Sequence, residues 1–370
     1  AIQNKLQMKK TFFSLFALSA LLLSGCNEEV QVNANYEPTP VIFGLLDQSE
    51  NIHMIKINRG FVGPGDAFSF AQIPDSNYFD KVSGKVEELI NNVIVRTWQL
   101  QDTLINTKST DGVFFGPQQK VYFFDNGSTP LDENATYRLT VDINEGELEV
   151  IGETKLVAGF GTQNSLQVQT ASLKVAKDPG QYIVPTVWAN SGNAVFGSVS
   201  INIDIAEIRG TDTTFLKIPW KMGEGPVASG KVSATGQGET FYSLIRAGLT
   251  NDNTITRRNF MGFTAEFIGG STDFYNYILV NKPSSTLTQT KPTFTNLSVS
   301  NGYKVVGLFS ARHTVRQYKP FIFGTLYYVR ALDQNSTREL CQGNILATYL
   351  FCSQHPGDIG GVNPKDYACP

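Results

Sequence analysis

Histidine is scarce in this sequence, occurring only as His53, His313 and His355. No HExxH pair, GxSxG elbow or Cys-His arrangement accompanies them, so metal-assisted hydrolysis and acyl transfer have no sequence footing. The four cysteines, Cys26, Cys341, Cys352 and Cys369, have the spacing of no zinc motif. Charged residues make up only 17% of the chain and the formal net charge is −3, which offers no electrostatic reason to bind nucleic acid. Beyond the first 25 residues no apolar run approaches the length of a membrane-spanning helix, and long helical periodicity is missing.

Abundant instead are glycine and aromatics, with 33 Gly, 14 Tyr and 25 Phe. Together with the low charge they point to an extracytoplasmic, mainly β protein. The expected plan is an immunoglobulin-like or fibronectin-like β-sandwich over residues 38–160, a second β-rich domain with one short helix over 161–340, and a cysteine-containing tail over 341–370.

The N-terminus is the most specific stretch. From Met8, Lys9 and Lys10 form a basic region and Thr11 to Leu23 an apolar region too short to span a bilayer permanently. Residues 1–25 therefore read as a signal peptide with seven upstream residues. Leu23-Ser24-Gly25-Cys26 resembles a bacterial lipobox, which makes Cys26 the expected lipidated mature N-terminus. Loss of Lys5, Lys9 and Lys10 with the leader, and of no acid, would take the formal net charge from −3 to −6. Residues 26–37 are polar and read as a tether. Asn27, Glu28 and Glu29, directly after the cysteine, resemble the surface-export signal of Bacteroidota lipoproteins.

From Pro40 onward, short β segments are punctuated by Gly, Pro, Asn and Asp. In "LDENATYRLTVDI", Tyr137, Leu139 and Val141 alternate on one face after Leu131, a pattern resembling the tyrosine corner of sandwich domains. "AVFGSVSINIDIAEIRG" places Val195, Val199, Ile201, Ile203 and Ile205 opposite Ser198, Ser200, Asn202 and Asp204, which predicts one long strand. "FMGFTAEFI" repeats that period with Phe263, Ala265 and Phe267. In "STDFYNYILVNK", Ser271 or Thr272 can cap a short helix carrying Phe274, Tyr277 and Ile278, with Pro283 as its stop. Trp188 and Trp220 are expected in the core or on a sheet surface.

Chemical motifs are weak. "GPVASGKV" supplies Gly225, Gly230 and Lys231 of a phosphate loop, but Val232 replaces the hydroxyl that would hold Mg²⁺, so a Gly-rich β connection is expected. His53 shares a strand face with Ile55 and Ile57 and is expected half-buried, whereas His355 lies in a Pro-Gly loop and is expected to be solvated. Glu145, Glu147 and Glu149 alternate as a wet strand face would, and "DNGSTPLDE" from Asp125 to Glu133 lacks the EF-hand order of calcium ligands. Asp102-Thr103-Leu104 and Asp212-Thr213-Thr214 resemble a three-residue O-glycosylation signal. Cys341 and Cys352 could close a short disulfide loop, while Cys369 could pair with either or stay free. No catalytic residue, cofactor or metal follows from these patterns.

"STDFYNYILVNKPSSTLTQTKPTFTNLSVSNGYKVVGLFSAR", residues 271–312, combines an aromatic helix, a polar loop, the pair Thr295-Asn296, the turn Asn301-Gly302 and the step Gly307-Leu308-Phe309. This order resembles a Bacteroidota family of outer-membrane lipoproteins carrying a domain of unknown function, as do the opening "TPVIFGLLDQSENIHMIKINRG" and the ending "CSQHPGDIGGVNPKDY". Leu308 departs from that family's Gly-Phe step, and Lys365 from its Pro-Asp ending. Such lipoproteins tend to be encoded beside TonB-dependent transporters. The resemblance implies a surface partner of such a transporter; taken with the lipobox, the acidic residues after it and the two β domains, the expectation is a non-enzymatic accessory protein held to the outer membrane by its lipid, with a structural or adhesive surface module as the alternative.

Overall fold

The computed structural model describes residues 39–60, 67–112, 115–281, 293–321, 330–360 and 363–370. The expected signal peptide, lipidated Cys26 and tether, and the expected helix stop Pro283, lie outside the described residues. No helix among the described residues is long and apolar enough to cross a membrane.

The chain is mainly β, as expected. In order come β1 (Thr39–Asp47), β2 (Ile52–Gly60), α1 (Ala67–Ala71), β3 (Val82–Ile90), β4 (Val93–Gln99), β5 (Gln101–Ile105), β6 (Gln119–Asp125), β7 (Thr136–Ile143) and β8 (Leu148–Lys155). Then follow β9 (Ala176–Asp178), β10 (Gln181–Tyr182), β11 (Thr186–Asn190), β12 (Phe196–Arg209), β13 (Asp212–Pro226), β14 (Lys231–Thr235), α2 (Gly238–Gly248) and β15 (Arg257–Gly270). The last elements are α3 (Thr272–Asn281), β16 (Leu297–Val299), β17 (Val306–Pro320), α4 (Gln334–Gln342) and α5 (Pro356–Ile359).

Two large sheets organise these strands. One has eight strands in the order β13-β12-β15-β17-β1-β2-β6-β5, and the other has five in the order β16-β8-β7-β3-β4. The long period-two segment forms β12, with Val199, Ile201, Ile203 and Ile205 buried. Phe263, Ala265 and Phe267 of β15 join them in a core that also takes Phe241, Tyr242 and Ile245 from α2. A second core lies between the five-stranded sheet and the β1–β2–β6 side of the large sheet. Tyr137 sits at its edge as a tyrosine corner: the hydroxyl lies 2.7 Å from a Glu88 carboxylate oxygen and 3.1 Å from the Asp132 carbonyl.

The expected boundary at residue 160 does not separate the sheets. β1 pairs in parallel with β17 from Val41↔Val306 to Asp47↔Arg312, so strands from both ends of the chain lie side by side. The N-terminal core accordingly includes Leu297, Phe309 and Ala311. The second region also holds more helix than the one expected, because α2 and α4 join α3. Short amphipathic spacing such as Phe241, Tyr242 and Ile245 between glycines carries little sequence signal.

Close approach makes the β1–β17 junction possible. Gly307 has φ of 126°, and a Cβ there would sit 1.8 Å from the Ile42 carbonyl oxygen. Phe309 is fully buried beside Gly44, where a Cβ would lie 2.9 Å from its ring. Asn296 fixes the Phe309 backbone from both sides: its Oδ1 accepts from the Phe309 N–H at 3.0 Å, and its Nδ2 donates to the Phe309 carbonyl at 2.7 Å. The Thr295-Asn296 pair and the Gly307-Leu308-Phe309 step are thus parts of one packing device.

Asp47 closes the junction. Its buried carboxylate accepts from the Thr314 hydroxyl at 2.6 Å, the Ser49 hydroxyl at 2.7 Å and Arg312 Nε at 2.9 Å. Burial acts to raise its pKa, but the bonds from Thr314 and Ser49 and the Arg312 charge outweigh that, so the carboxyl stays below its ordinary value of 3.8. Its stabilising contribution is therefore complete above the unfolded value and is lost as pH falls through the lower folded value. Replacing Asp47 with Ala is expected to cost about 2–3 kcal/mol at neutral pH, since charged hydrogen bonds are removed from buried partners. Urea titrations from pH 7 downward should show the gap between wild type and variant shrinking only below pH 3.8.

Candidate functional site

The outer face of β1 and β2, turned away from the second core, carries a wide groove. Odd-numbered β1 residues Phe43 and Leu45 and Leu308 of β17 form its floor, and Phe274 and Tyr277 of α3 form a wall. Opposite stand Ile52 and Met54 of β2, each 53% exposed while their neighbours His53 and Ile55 turn inward. The resulting groove encloses about 610 Å³, and Asp47, Glu50 and Arg312 bring charge to its lining.

Helix α3 is positioned by Ser271, whose hydroxyl meets that of Ser310 on β17 at 2.6 Å and lies 3.5 Å from the Phe274 N–H. Tyr277 meets Phe43 edge to face at 5.5 Å between ring centroids. The expected aromatic helix is present, yet none of its residues is buried, although Phe274, Tyr275, Tyr277, Ile278, Leu279 and Val280 are apolar or aromatic. A helix apolar on several faces ordinarily needs cover on more than one side.

A smaller recess of about 320 Å³ adjoins the groove at Phe43, lined also by Val41, Lys56, Asn58, Arg59, Gly60, Asn77 and Lys108. Sequence reading singled out neither concavity. A signal existed in "IHMIKI", which is apolar on both faces of one strand, but the three cations come from positions brought together only by the fold.

The residues considered from sequence lie elsewhere or have structural duties. His53 is buried, bonds Asn126 at 2.8 Å and stacks on Phe124. His313 Nδ1 lies 3.2 Å from the Val157 carbonyl. Lys231 begins β14 after a tight turn, with its ammonium 3.9 Å from the Trp188 ring centroid, so the phosphate-loop pattern is a tight Gly-containing turn between two strands of different sheets. Trp220 is buried in the second-region core. Glu145 and Glu147 occupy the β7–β8 turn rather than a strand face, because Asn144 and Glu145 both take positive φ; only Glu149 lies on β8. Asp125 and Asp132 accept backbone N–H groups two residues on, at 2.7 and 2.8 Å, while Glu133 accepts from Gln48 and Gly159. No group of three or more His, Cys, Asp or Glu among the described residues could hold a metal. Asp102 pairs with Lys120 at 3.4 Å, and Asp212 and Thr213 are exposed at the start of β13.

The tail holds a buried ionisable cluster. Asp358 is fully buried, accepts two bonds from Arg330 at 2.6 and 2.7 Å and one from the Ser353 hydroxyl at 2.7 Å, and lies 3.3 Å from the Tyr367 hydroxyl. His355, expected to be solvated, is buried because its Nδ1 accepts the Gly357 N–H at 3.0 Å and caps α5. With the serine proton directed to Asp358 and Nδ1 occupied, Ser353, His355 and Asp358 do not form a nucleophile-base relay. They fasten the tail.

The disulfide there joins Cys352 to Cys369, not Cys352 to Cys341. Cys341 belongs to α4 and packs against the second-region core, whereas the tail folds back to pair Ser353 with Ala368 and so brings Cys369 to Cys352. No protein-family model matches this chain, and no curated protein sequence matches it.

Burial, aided by the Asp358 charge, pushes the Cys341 thiol up to about 12. Since the thiolate is the reactive species, Cys341 should alkylate with iodoacetamide at pH 8 at least tenfold more slowly in the folded protein than in urea. Mass spectrometry should find Cys352 and Cys369 alkylated only after reduction.

Proposed function

We propose that this protein is a lipid-anchored outer-membrane protein that serves as a non-enzymatic binding partner of a TonB-dependent transporter, with the groove beside α3 as its contact face. The observation that carries this reading is the partly exposed apolar surface: the half-buried aromatic residues of α3 stand beside exposed Ile52 and Met54 over a floor of Phe43, Leu45 and Leu308. Apolar surface of that kind marks interaction sites rather than inert surface. The lipobox ending at Cys26 and the resemblance of residues 271–312 to transporter-associated lipoproteins supply the address and the kind of partner.

The physics is simple. Each buried acyl methylene contributes about 0.8 kcal/mol, so two or three chains on Cys26 hold the protein to the membrane durably. Confinement to the transporter's own surface raises the effective concentration and lets a moderate interface suffice. Arg312, 41% exposed at its side chain while bonded to Asp47, would give the apolar contact a fixed charged end and so a register.

Purification of the C-terminally tagged, lipidated protein in mild detergent should bring down a TonB-dependent transporter in stoichiometric amount. Ile52→Asp and Met54→Asp should each reduce that recovery at least tenfold, because each places a charge where apolar burial worth about 1.5 kcal/mol or more is lost. Cys26→Ala should abolish palmitate labelling and retention at the membrane. A protein that purifies alone, or variants that keep the transporter, would refute the partnership and favour a spacer or adhesive module.

A further inference from the structure

We propose that a polar recess at the start of α3 binds a short free peptide by its two charged ends. The recess encloses about 550 Å³ and is lined by Thr136, Glu153, Lys155, Asn193, Thr272 and Asp273 among others. The first residues of α3 form one of its walls, while Phe274 and Tyr277 of the same helix wall the apolar groove.

Two carboxylates are fixed there by the fold. Thr136 lies opposite Lys155 and Arg138 opposite Glu153 in the β7–β8 pair, so these four side chains share one face of the five-stranded sheet. Arg138 Nε donates to Glu153 Oε1 at 2.7 Å, which steadies that carboxylate and leaves Oε2 for another donor. Asn296 does the same for Asp273, its Nδ2 lying 3.1 Å from Oδ2 and leaving Oδ1. The same amide nitrogen lies 3.2 Å from the Glu153 carbonyl, so one side chain ties α3 to β8 and sets the spacing of the two acidic residues. Asn296 is in turn held by Phe309, which passes the rigidity of the β1–β17 junction to the recess.

Among the described residues, Lys155 forms an ion pair with neither carboxylate. Opposite charges held in one recess without pairing to each other suit a ligand that carries both signs, because each end then makes a charge-assisted hydrogen bond. A ligand of one sign meets one of these groups and is repelled by the other. The volume equals roughly eighteen waters of liquid, more than a single amino acid fills. A peptide of two or three residues separates its ammonium and carboxylate by about 3.3–3.6 Å per residue, which lets it reach from Asp273 on the helix to Lys155 on the strand. Its inner amides also find partners. The Thr136 and Thr272 hydroxyls donate or accept, and Asn193, whose Nδ2 donates to the Leu156 carbonyl at 3.3 Å, offers Oδ1. The inference does not depend on the docking of a transporter.

Calorimetry on the full lipidated chain in non-ionic detergent tests this with trialanine, its N-acetylated form, its C-terminal amide and maltotriose. Trialanine is expected to bind at least tenfold more tightly than the other three, and to weaken as salt rises. Lys155→Gln should weaken trialanine about tenfold and erase the preference for the free acid over the amide. Asp273→Asn should weaken it similarly and erase the preference for the free amine over the acetylated form. Lys155 is exposed and outside the strand junction, so its variant keeps the test decisive even if loss of the Asp273 carboxylate disturbs Asn296. Absence of trialanine binding, equal binding of its blocked forms, or tighter binding of maltotriose would overturn the proposal. So would unchanged trialanine binding by Lys155→Gln with a wild-type melting temperature.

Discussion

The parallel pairing of β1 with β17 is the constraint on which the remaining architecture depends. It joins residues more than 250 positions apart, from Val41↔Val306 to Asp47↔Arg312, and makes one eight-stranded sheet from both ends of the chain. Parallel neighbours require a long crossover, and here the crossover contains most of the protein. Phe309 lies at the centre of this join, with Gly44 leaving space for its ring and Asn296 holding its backbone. Asp47 completes it by engaging Arg312 and Thr314 on the partner strand.

The same pairing creates the outer surface. Inward residues Ile42, Leu46, Ile55 and Phe309 fill the sandwich core, so their alternating neighbours Phe43, Leu45, Met54 and Leu308 face the other way. Those neighbours are also apolar, and α3 lies beside them without burying any of its own residues. Next to that apolar strip, β2 turns Lys56 and Asn58 outward into the smaller recess. Apolar groove and smaller recess are therefore two lengths of one strand pair, held at fixed spacing by a rigid sheet.

Much of the local structure was legible in the sequence. Period-two spacing marked β12 and β15, the Ser271-Thr272 pair marked the start of α3, and the spacing before Tyr137 marked its corner. What was not legible were relations between distant segments. Nothing local in "TPVIFGLLD" names β17 as its neighbour, so a boundary drawn at residue 160 does not anticipate that the eight-stranded sheet crosses it. The disulfide similarly depended on the tail folding back to Ser353 rather than on the short interval between Cys341 and Cys352. Buried histidines also escaped composition: His355 sits in a Pro-Gly loop, but a cap on α5 and a folded tail enclose it.

Hydrogen exchange along the chain tests most directly whether both cores depend on this join. Amides of β1 and β17 should share one high opening free energy, and Phe309→Ala should lower protection in β7, β8 and β15 together, with a cost of about 3–5 kcal/mol. If β2, β3 and β7 instead keep their protection when β17 opens, the N-terminal sandwich is an independent unit and the account of a single shared sheet is wrong.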